Sequence, residues 1–546
     1  MDAYQSAQAQ IADSDHFGST NVPMDSWIYP ALERLSAMGF IPSQNVAIRP
    51  WTRQECLRQV REVEEVLDSY GTSDSLNDEA RRLLSDLQKE LEQPPDSGGI
   101  VLESAYARYG TIAGPALTDG FHFGQTWWND FGRPLGRGGS AIAGFSARAI
   151  HGRFFLYDRQ ELQQSPGTLA FTAAQGQFFN SIDNIPFGSP VIPAPFPASP
   201  ATGAYTRQRP IELYAGVAFA GNALSFGKQE IFWGPTTMGP WSFSSNAEPT
   251  YNLRLVATRP HPFPILPNLG TYRFDIVFGK LSGHKYPARP YFNGQKIDLT
   301  FGSTLEISLT RWSVLWGVGH PMTLGSLKNN FVSTSSTSTG SFGYGDRSDP
   351  GDRKSDFDFR LHVPGLNKLV TIYADAYADD ETNPIDAPRR VAWAPGIYLA
   401  RLPYLPHMDL RFEMASSEEL SRDEGGTRSF INNQYRDSNT NKGFLLGNAV
   451  GRDSRAFDGR TGYWISARSR VEAGYRQSKG GLQFLPGGST ISDGFLNASY
   501  AITPEWSAQL FTQYERFTIP SFMPGSHHNE SGWLQITLNP KLHVPR

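Results

Sequence analysis

Apolar and polar residues alternate along most of the chain, in stretches of about ten residues from about residue 100 onward. In residues 272–278, aromatic and aliphatic side chains occupy the even positions, whereas Arg273 occupies an odd one together with Asp275. Because successive side chains of a strand point to opposite faces, each stretch predicts a strand with one apolar and one charged face. Many such strands without helices between them predict an antiparallel sandwich or barrel.

Strands of this length with an aromatic-rich apolar face and a charged opposite face are typical of outer-membrane barrels. We therefore predict a mainly β protein, in which residues 99–546 form a large antiparallel transmembrane β-barrel. A soluble sandwich has the same alternation, so periodicity alone leaves both folds open.

In a closed barrel the charged faces line the lumen. Nine side chains are expected there: Asp356, Asp358, Arg360, Asp409, Arg411, Glu413, Arg468, Arg470 and Glu472. A lumen crowded with opposed charges would be plugged and would conduct poorly. Two carboxylates such as Asp356 and Asp358 also suit a glycosidase, but the adjacent Arg360 and similar charges on other strands favour ion pairs.

Composition narrows the function without fixing it. Aromatic residues make up 13% of the chain, charged residues 19%, and the mean hydropathy is −0.40. We find no apolar run of about 18 residues, which a spanning helix would need. The net charge of −4 without a basic patch argues against nucleic-acid binding. The single cysteine, Cys56, cannot form an internal disulfide, and no Cys/His spacing predicts a metal site or other cofactor.

Residues 21–95 predict a separate three-helix unit, with helices over about 26–38, 52–67 and 77–92. Thr52 and Glu55 have the spacing of a capping box. Such a small unit has little core of its own, so we expect it to lean on the barrel. Residues 1–20 contain Ala7-Gln8-Ala9, which predicts the remainder of a signal peptide; a short disordered start of a cytoplasmic protein is the alternative.

The first two predicted helices resemble a single surface-layer-homology (SLH) module. The matching residues are Val22, Pro23, Trp27, Tyr29, Pro30, Ala31, Leu32, Leu35, Gly39, Arg49, Pro50, Thr52, Arg53, Gln54 and Glu55. Modules of that family bind cell-wall polymers, usually as several copies. The resemblance implies a cell-wall polymer as a partner of residues 21–67, and packing against the barrel is the alternative role.

The barrel region resembles the capsule-assembly Wzi family. The stretches that carry the resemblance are residues 226–235, 244–249, 305–306, 311, 351–360, 375–380, 387–390, 441–448, 463–464 and 513–516. The resemblance implies an outer-membrane barrel of about 18 strands with a periplasmic helical domain. It also implies lectin-like retention of capsular polysaccharide at the cell exterior, without enzymatic activity. The last predicted strand, 532–538, departs from the usual pattern because eight residues follow it.

A candidate glycan-binding segment lies within one of these stretches. Trp233, Trp241, Asn246 and Tyr251 bring aromatic rings near amide and hydroxyl groups. Sugar rings stack their C–H faces on aromatic side chains and need fixed polar partners for their hydroxyls, as in other sites with apolar walls and a few placed polar groups. An aromatic girdle at the membrane interface, or a folded-in loop, is the alternative interpretation.

The functional hypothesis is an outer-membrane protein that attaches surface or capsular polysaccharide at the cell exterior. Its partners are then the polysaccharide and outer-membrane lipid. A solute- or sugar-selective porin is the alternative. The sequence has no Gly-x-Ser-x-Gly, P-loop or His-Glu-x-x-His motif, so we predict no enzyme activity.

Overall fold

The computed structural model describes most of the chain. It covers residues 17–70, 75–91, 99–168, 171–182, 202–337, 342, 344–366, 368–389, 392–418, 430, 432, 434–437, 439–540 and 542–545. Most of the predicted leader, residues 1–16, lies outside the described residues. Gly18 is tied to the barrel, since its N–H donates to the Gly152 carbonyl at 2.7 Å.

The dominant element is a closed barrel of eighteen antiparallel strands, as predicted. The strands are β1 (Gly99–Ile112), β2 (Gly138–His151), β3 (Phe154–Ser165), β4 (Tyr205–Phe219), β5 (Asn222–Gln229), β6 (Thr250–Ala257), β7 (Gly270–Lys280), β8 (Tyr291–Phe301), β9 (Leu305–Leu315), β10 (Asp352–His362), β11 (Val370–Asp379), β12 (Ala392–Leu399), β13 (Met408–Ser416), β14 (Ser454–Trp464), β15 (Arg470–Gly480), β16 (Ser489–Ala501), β17 (Trp506–Ile519) and β18 (Met523–Leu538). Each strand pairs with the next along the chain, and β18 closes the barrel on β1.

The residues after β18 take part in this closure. Leu542–Pro545 forms a short strand that pairs with the start of β1, in a register that sets Gly99 opposite Pro545. The strand predicted at 532–538 is therefore longer and continues, after a break, almost to the C-terminus.

The sequence alternation maps onto the two sides of the wall. On β13, Phe412 and Met414 are 52% and 59% exposed on the outer side, whereas Glu413 is 1% exposed on the inner side. Apolar side chains therefore cover the outside and charged ones fill the lumen, the reverse of a soluble sandwich with an apolar interior.

The two ends of the barrel differ in their connections. At one end lie residues 152–153, 220–221, 258–269, 302–304, 363–369, 400–407, 465–469 and 502–505, together with both termini of the barrel. We call this the short-turn end. The other, the long-loop end, carries the remaining connections, of which the structure describes residues 113–137, 166–168, 171–182, 202–204, 230–249, 281–290, 316–337, 342, 344–351, 380–389, 417–418, 430, 432, 434–437, 439–453, 481–488 and 520–522.

Three helices precede the barrel, close to where the sequence places them: α1 (Ile28–Ala37), α2 (Arg53–Tyr70) and α3 (Ser75–Leu91). Their apolar core is continuous with Tyr373, Tyr398 and Trp464 of the barrel. At the start of α2, the Glu55 N–H donates to Thr52 Oγ1 at 3.1 Å, which is one half of the capping box. The Glu55 carboxylate binds Arg58 instead of returning to the cap.

Two further short helices lie in long loops: α4 (Ala173–Ile182) and α5 (Leu324–Val332). Among the described residues, none of the helices is both long and apolar enough to cross a bilayer.

Candidate functional site

The connection 230–249, which we call the inward loop, leaves β5 at the long-loop end and folds into the lumen. Its Phe232–Trp233 segment pairs in antiparallel fashion with Ile48–Arg49 of the helical unit. The Gly234 N–H also donates to the Ala47 carbonyl at 3.0 Å. The inward loop and the helical unit therefore meet inside the barrel.

Both candidate tryptophans of this loop are buried. Trp233 is 0% exposed, and its indole N–H donates to Asp275 Oδ2 at 2.7 Å. Trp241 is 1% exposed, and its backbone N–H donates to Asp375 Oδ2 at 2.7 Å. In this conformation neither ring offers a face to a sugar, which matches the folded-in loop of the alternative interpretation.

The other two candidate residues separate. Asn246 is buried with the tryptophans and donates to the Leu445 carbonyl at 3.1 Å. Tyr251 is 52% exposed on the outer face of β6 and does not join the other three. The structure thus does not assemble these four residues into one surface, and glycan contact by this segment stays a prediction.

The predicted lumen charges are largely where the alternation places them, and they are paired. Arg360 Nε lies 2.9 Å from Glu306, and Lys296 binds Asp358. Arg470 pairs with Asp409 at 3.2 Å and Glu472 at 2.7 Å.

Arg411 connects the wall to the helical unit. It lies 3.2 Å from Glu33 of that unit and 3.7 Å from Glu413 of the wall.

Arg468 is an exception, and its assignment to the lumen is wrong. Strand β14 ends at Trp464 and β15 begins at Arg470, so Arg468 lies in the turn 465–469. Its guanidinium donates to the Pro504 carbonyl at 2.8 Å and lies 5.9 Å from the Trp27 ring. The alternation misleads here because it runs through the turn without a glycine or proline to mark the break.

The carboxylates considered for catalysis, and the two acids at the end of β11, have protein partners. Ser242 of the inward loop donates to Asp356 at 2.8 Å, and Asp356 is 0% exposed. At the end of β11, Asp379 pairs with Lys354 at 3.0 Å, and Asp380 accepts from Ser336 at 2.6 Å. In the part of the chain that the structure describes, no group of three or more His, Cys, Asp or Glu side chains is arranged to hold a metal ion.

The helical unit enters the lumen from the short-turn end and is fixed there by charge. Glu306 accepts hydrogen bonds from the Val46 and Ala47 N–H groups at 2.8 and 2.9 Å. Arg34, which is fully buried, pairs with Glu79 at 2.8 Å and donates to the Ala400 carbonyl at 3.0 Å. Burial, only partly offset by nearby acids, lowers the pKa of Arg34.

A cavity of about 240 Å³ remains between the helical unit, the inward loop and the wall. Its lining includes Asp25, Glu33, Arg49, Asp409, Arg411 and Arg470. Acids and bases are balanced there and largely bind one another, as the Arg411–Glu33 and Arg470–Asp409 pairs illustrate. The cavity therefore belongs to the charge-filled lumen.

Loops 281–290 and 434–443 pack together at the long-loop end. The Arg436 N–H donates to the Tyr286 carbonyl at 2.8 Å, and the Lys285 and Tyr286 N–H groups donate to Asp437 at 2.9 and 2.7 Å. His284 Nε2 lies 2.7 Å from the Thr440 carbonyl. Burial lowers the pKa of His284 to about 4 and raises the pKa of Asp437 to about 7.

These two loops present cations on their outer side, which we call the basic junction: Lys285, Arg289, Arg436 and Lys442. Lys285, Arg289 and Lys442 are exposed, and Arg436 is half-buried. Lys442 pairs with Glu248 of the inward loop at 2.8 Å. Sequence reasoning missed this surface because its two loops are far apart in the chain; its only signal was the stretch 441–448.

A closed eighteen-strand barrel with an apolar outer wall and a lumen filled by charge pairs defines the class of protein as an outer-membrane β-barrel. The sequence profile of the capsule assembly protein Wzi family matches residues 107–531. The chain therefore belongs to the capsule assembly Wzi family of the outer membrane.

A solved structure shares the fold. A Wzi structure from Escherichia coli has a TM-score of 0.68 at 16% sequence identity, covering 96% of this chain and 100% of that one. It is described as a carbohydrate-binding β-barrel involved in group 1 capsule assembly. OprD from Pseudomonas aeruginosa has a TM-score of 0.43 at 8% identity, covering 82% and 96% of the two chains. None of the curated proteins matches the sequence.

Proposed function

We propose that this protein binds a long acidic or neutral surface polysaccharide at its long-loop end and holds it at the cell exterior during capsule assembly, without cleaving it. Membership of the capsule assembly family supports the process. We base the binding site on the basic junction. Its cations lie on the surface of two loops, and the inward loop contacts these loops from the lumen side. Such a surface suits the carboxylates of an acidic polysaccharide.

The connections support one orientation of the barrel. Outer-membrane barrels have short turns on the periplasmic side and longer loops on the extracellular side. The long-loop end with its basic junction is then extracellular, and the helical unit is periplasmic. This orientation places the cations where a surface polymer can reach them.

Binding at each barrel is expected to be weak. Exposed ion pairs contribute about 0.2–1 kcal/mol each. A polymer that engages many barrels at once can nevertheless gain roughly 10² to 10⁴ in avidity without new contacts. In this proposal Trp233, Trp241 and Asn246 hold the inward loop in place beneath the surface rather than stack on sugar.

A porin is the alternative function, and it needs an open lumen. Here the inward loop and residues 44–53 meet inside the barrel, which supports a poorly conducting protein. Planar-bilayer recordings test this point: we expect no large, steady open-channel currents, and such currents would favour the porin.

Absence of cleavage is part of the proposal, supported by the pairing of the buried carboxylates Asp356 and Asp358 with protein groups. Binding of a cell-wall polymer by residues 21–67 stays a prediction. Apolar residues of that unit, such as Leu35 and Trp51, are fully buried in a core shared with the barrel, which favours the packing role.

Deletion in the native host, followed by comparison of cell-attached and released polysaccharide, tests the function. We expect attachment to be lost while chain length stays normal. Unchanged attachment, or shortened chains that indicate hydrolysis, would contradict the proposal.

Charge reversal then tests the site. Lys285→Glu combined with Arg289→Glu should release part of the polysaccharide, whereas Arg389→Glu, an 84% exposed cation elsewhere at the same end, should not. Both variants must reach the outer membrane and keep a heat-modifiable gel mobility. Equal attachment in the two variants would move the site away from the basic junction.

A further inference from the structure

Helix α5 lies on the outside of the barrel rather than over its mouth. On β9, Glu306 points into the lumen, so Arg311 and Ser313, an odd number of residues further, point outward. The Asn330 side chain of α5 donates to Ser313 Oγ at 2.6 Å, and Arg311 donates to the Phe331 carbonyl at 3.5 Å. Both contacts fix α5 against the outer wall at the long-loop end.

The outer wall beneath α5 is polar. Ser313 faces Arg353 across the β9–β10 pair, and Arg311 faces Ser355. Arg353 and Ser355 are 3% and 0% exposed, and Arg353 donates to the Ser335 carbonyl at 3.0 Å. The helix and the residues that follow it therefore cover a polar patch.

The same strands are apolar nearer the short-turn end. Their outward side chains there are half-exposed: Leu305, Ile307, Leu309, Phe357, Phe359 and Leu361. The apolar band of such barrels is about 25 Å tall, so a strand tilted by roughly 40° with a rise of about 3.4 Å per residue needs roughly ten residues to cross it. Strand β9 has 11 residues, so an apolar band of that height would reach the polar patch.

On α5 two polar side chains are buried and several apolar ones are exposed, which is the reverse of a surface helix in water. Its buried residues are the polar Ser326 and Asn330. Leu324 is 85% exposed and Val332 is 67% exposed. Lys328 is the single charged residue in the helix.

Helix α4, at the same end and of similar length, has the ordinary arrangement. Its Phe179 is fully buried and stacks on His122 at 4.5 Å, whereas the polar Gln177 and Ser181 are exposed. The inversion is therefore specific to α5 and matches its place on the outer wall.

We propose that α5 is an interfacial helix whose exposed apolar face lies in the outer leaflet of the outer membrane. It shields the polar patch from lipid with Ser326 and Asn330, and it continues the lipid-facing wall with Leu324, Phe331 and Val332. Helices that lie in a membrane interface bury an apolar face at the boundary of headgroups and acyl chains.

Spin labels on single cysteines test the environment of this face. Labels at Leu324→Cys and Phe331→Cys would be compared with Gln177→Cys on α4 as the water-exposed control and Phe359→Cys on β10 as the lipid-exposed control. The protein is reconstituted in phosphatidylcholine–phosphatidylglycerol liposomes, and collision with oxygen and with a water-soluble nickel chelate is measured. Cys56 is 0% exposed, and labelled wild-type protein gives its background.

We expect the ratio of oxygen to nickel collisions at Leu324 and Phe331 to approach the Phe359 value and to exceed the Gln177 value several-fold. A ratio equal to that of Gln177 would place the helix in water and overturn the proposal. Low access to both reagents, relieved by diluting the protein in lipid, would identify a second barrel as the occupant and would also overturn it. Heat-modifiable gel mobility confirms that each labelled variant is folded.

Discussion

Two segments fill the lumen from opposite ends, and the contacts that hold them differ in balance. Residues 44–53 of the helical unit enter from the short-turn end and depend on ionised partners such as Glu306 and Arg360. The inward loop enters from the long-loop end and has ion pairs as well, at Glu248, but much of it packs through buried aromatic rings such as Trp233. Loss of the carboxylate at Glu306 therefore leaves an uncompensated charge, whereas loss of the indole donor at Trp233 leaves a smaller polar or packing defect.

The largest effect is expected at the charged contact. Glu306→Ala removes the acceptor of two backbone N–H groups and leaves the guanidinium of Arg360 without its carboxylate, with only neutral acceptors of Gln44 beside it. Removing one member of a buried ion pair costs about 3–5 kcal/mol, so the free energy of unfolding should fall by that amount. Urea unfolding in detergent micelles, followed by tryptophan fluorescence, measures the change.

Lys285→Ala, an exposed cation outside the lumen, is the matched control and should leave the unfolding midpoint almost unchanged. A change of similar size in both variants would show that the buried ion pair at Glu306 contributes no more to stability than an exposed cation does.

The inward loop should respond less. Trp233→Phe keeps a ring in the core but removes the donor to Asp275, which still accepts from Arg254 at 2.7 Å. A hydrogen bond to a charged group contributes about 1.5–3 kcal/mol, so the same assay should show a smaller loss than Glu306→Ala. If Trp233→Phe destabilised the protein more than Glu306→Ala does, the expected order of the two lumen segments would be reversed.

The strands of the barrel wall were predictable from the sequence. The two segments that fill the lumen, the inward loop and residues 44–53, were not. Alternation assigns Phe412 and Glu413 to opposite faces because strand geometry enforces period two. It carries no information about where a loop goes, so the burial of Trp233 and Trp241 depended on long-range contacts with Asp275 and Asp375. The same limit explains Arg468, whose turn continues the strand pattern in sequence.

The outer support of the inward loop should depend on pH. Loop 434–443 contacts the inward loop at Glu248. Lys442 pairs with the Glu248 carboxylate, and Asn441 donates to the Glu248 carbonyl at 2.8 Å. Within the same loop, burial raises the pKa of Asp437 from 3.8 to about 7. Above pH 3.8 the unfolded carboxyl loses its proton before the folded one, so stability is lost as pH rises through the folded pKa.

Asp437→Asn should remove this dependence, because an amide still accepts from Lys285 and Tyr286 but does not ionise. Amide hydrogen exchange in loops 281–290 and 434–443, corrected for intrinsic rates, should rise between pH 4 and 7 in the wild type and stay flat in the variant. Parallel curves for the two proteins would assign the pH effect to another group.

The smallest effect is expected at His284, the neighbour of Asp437 in this junction. Burial lowers its pKa from 6.5 to about 4, so the folded ring stays neutral where the unfolded one is charged. The sign is opposite to that of Asp437: stability is lost as pH falls from about 6.5 towards 4. Exchange of the imidazole C2 hydrogen, followed by mass spectrometry, should give a pKa for His284 well below the ordinary histidine value of about 6.5. A measured value near about 6.5 would mean that water reaches His284, and the outer support of the inward loop would then be looser than its hydrogen bonds imply.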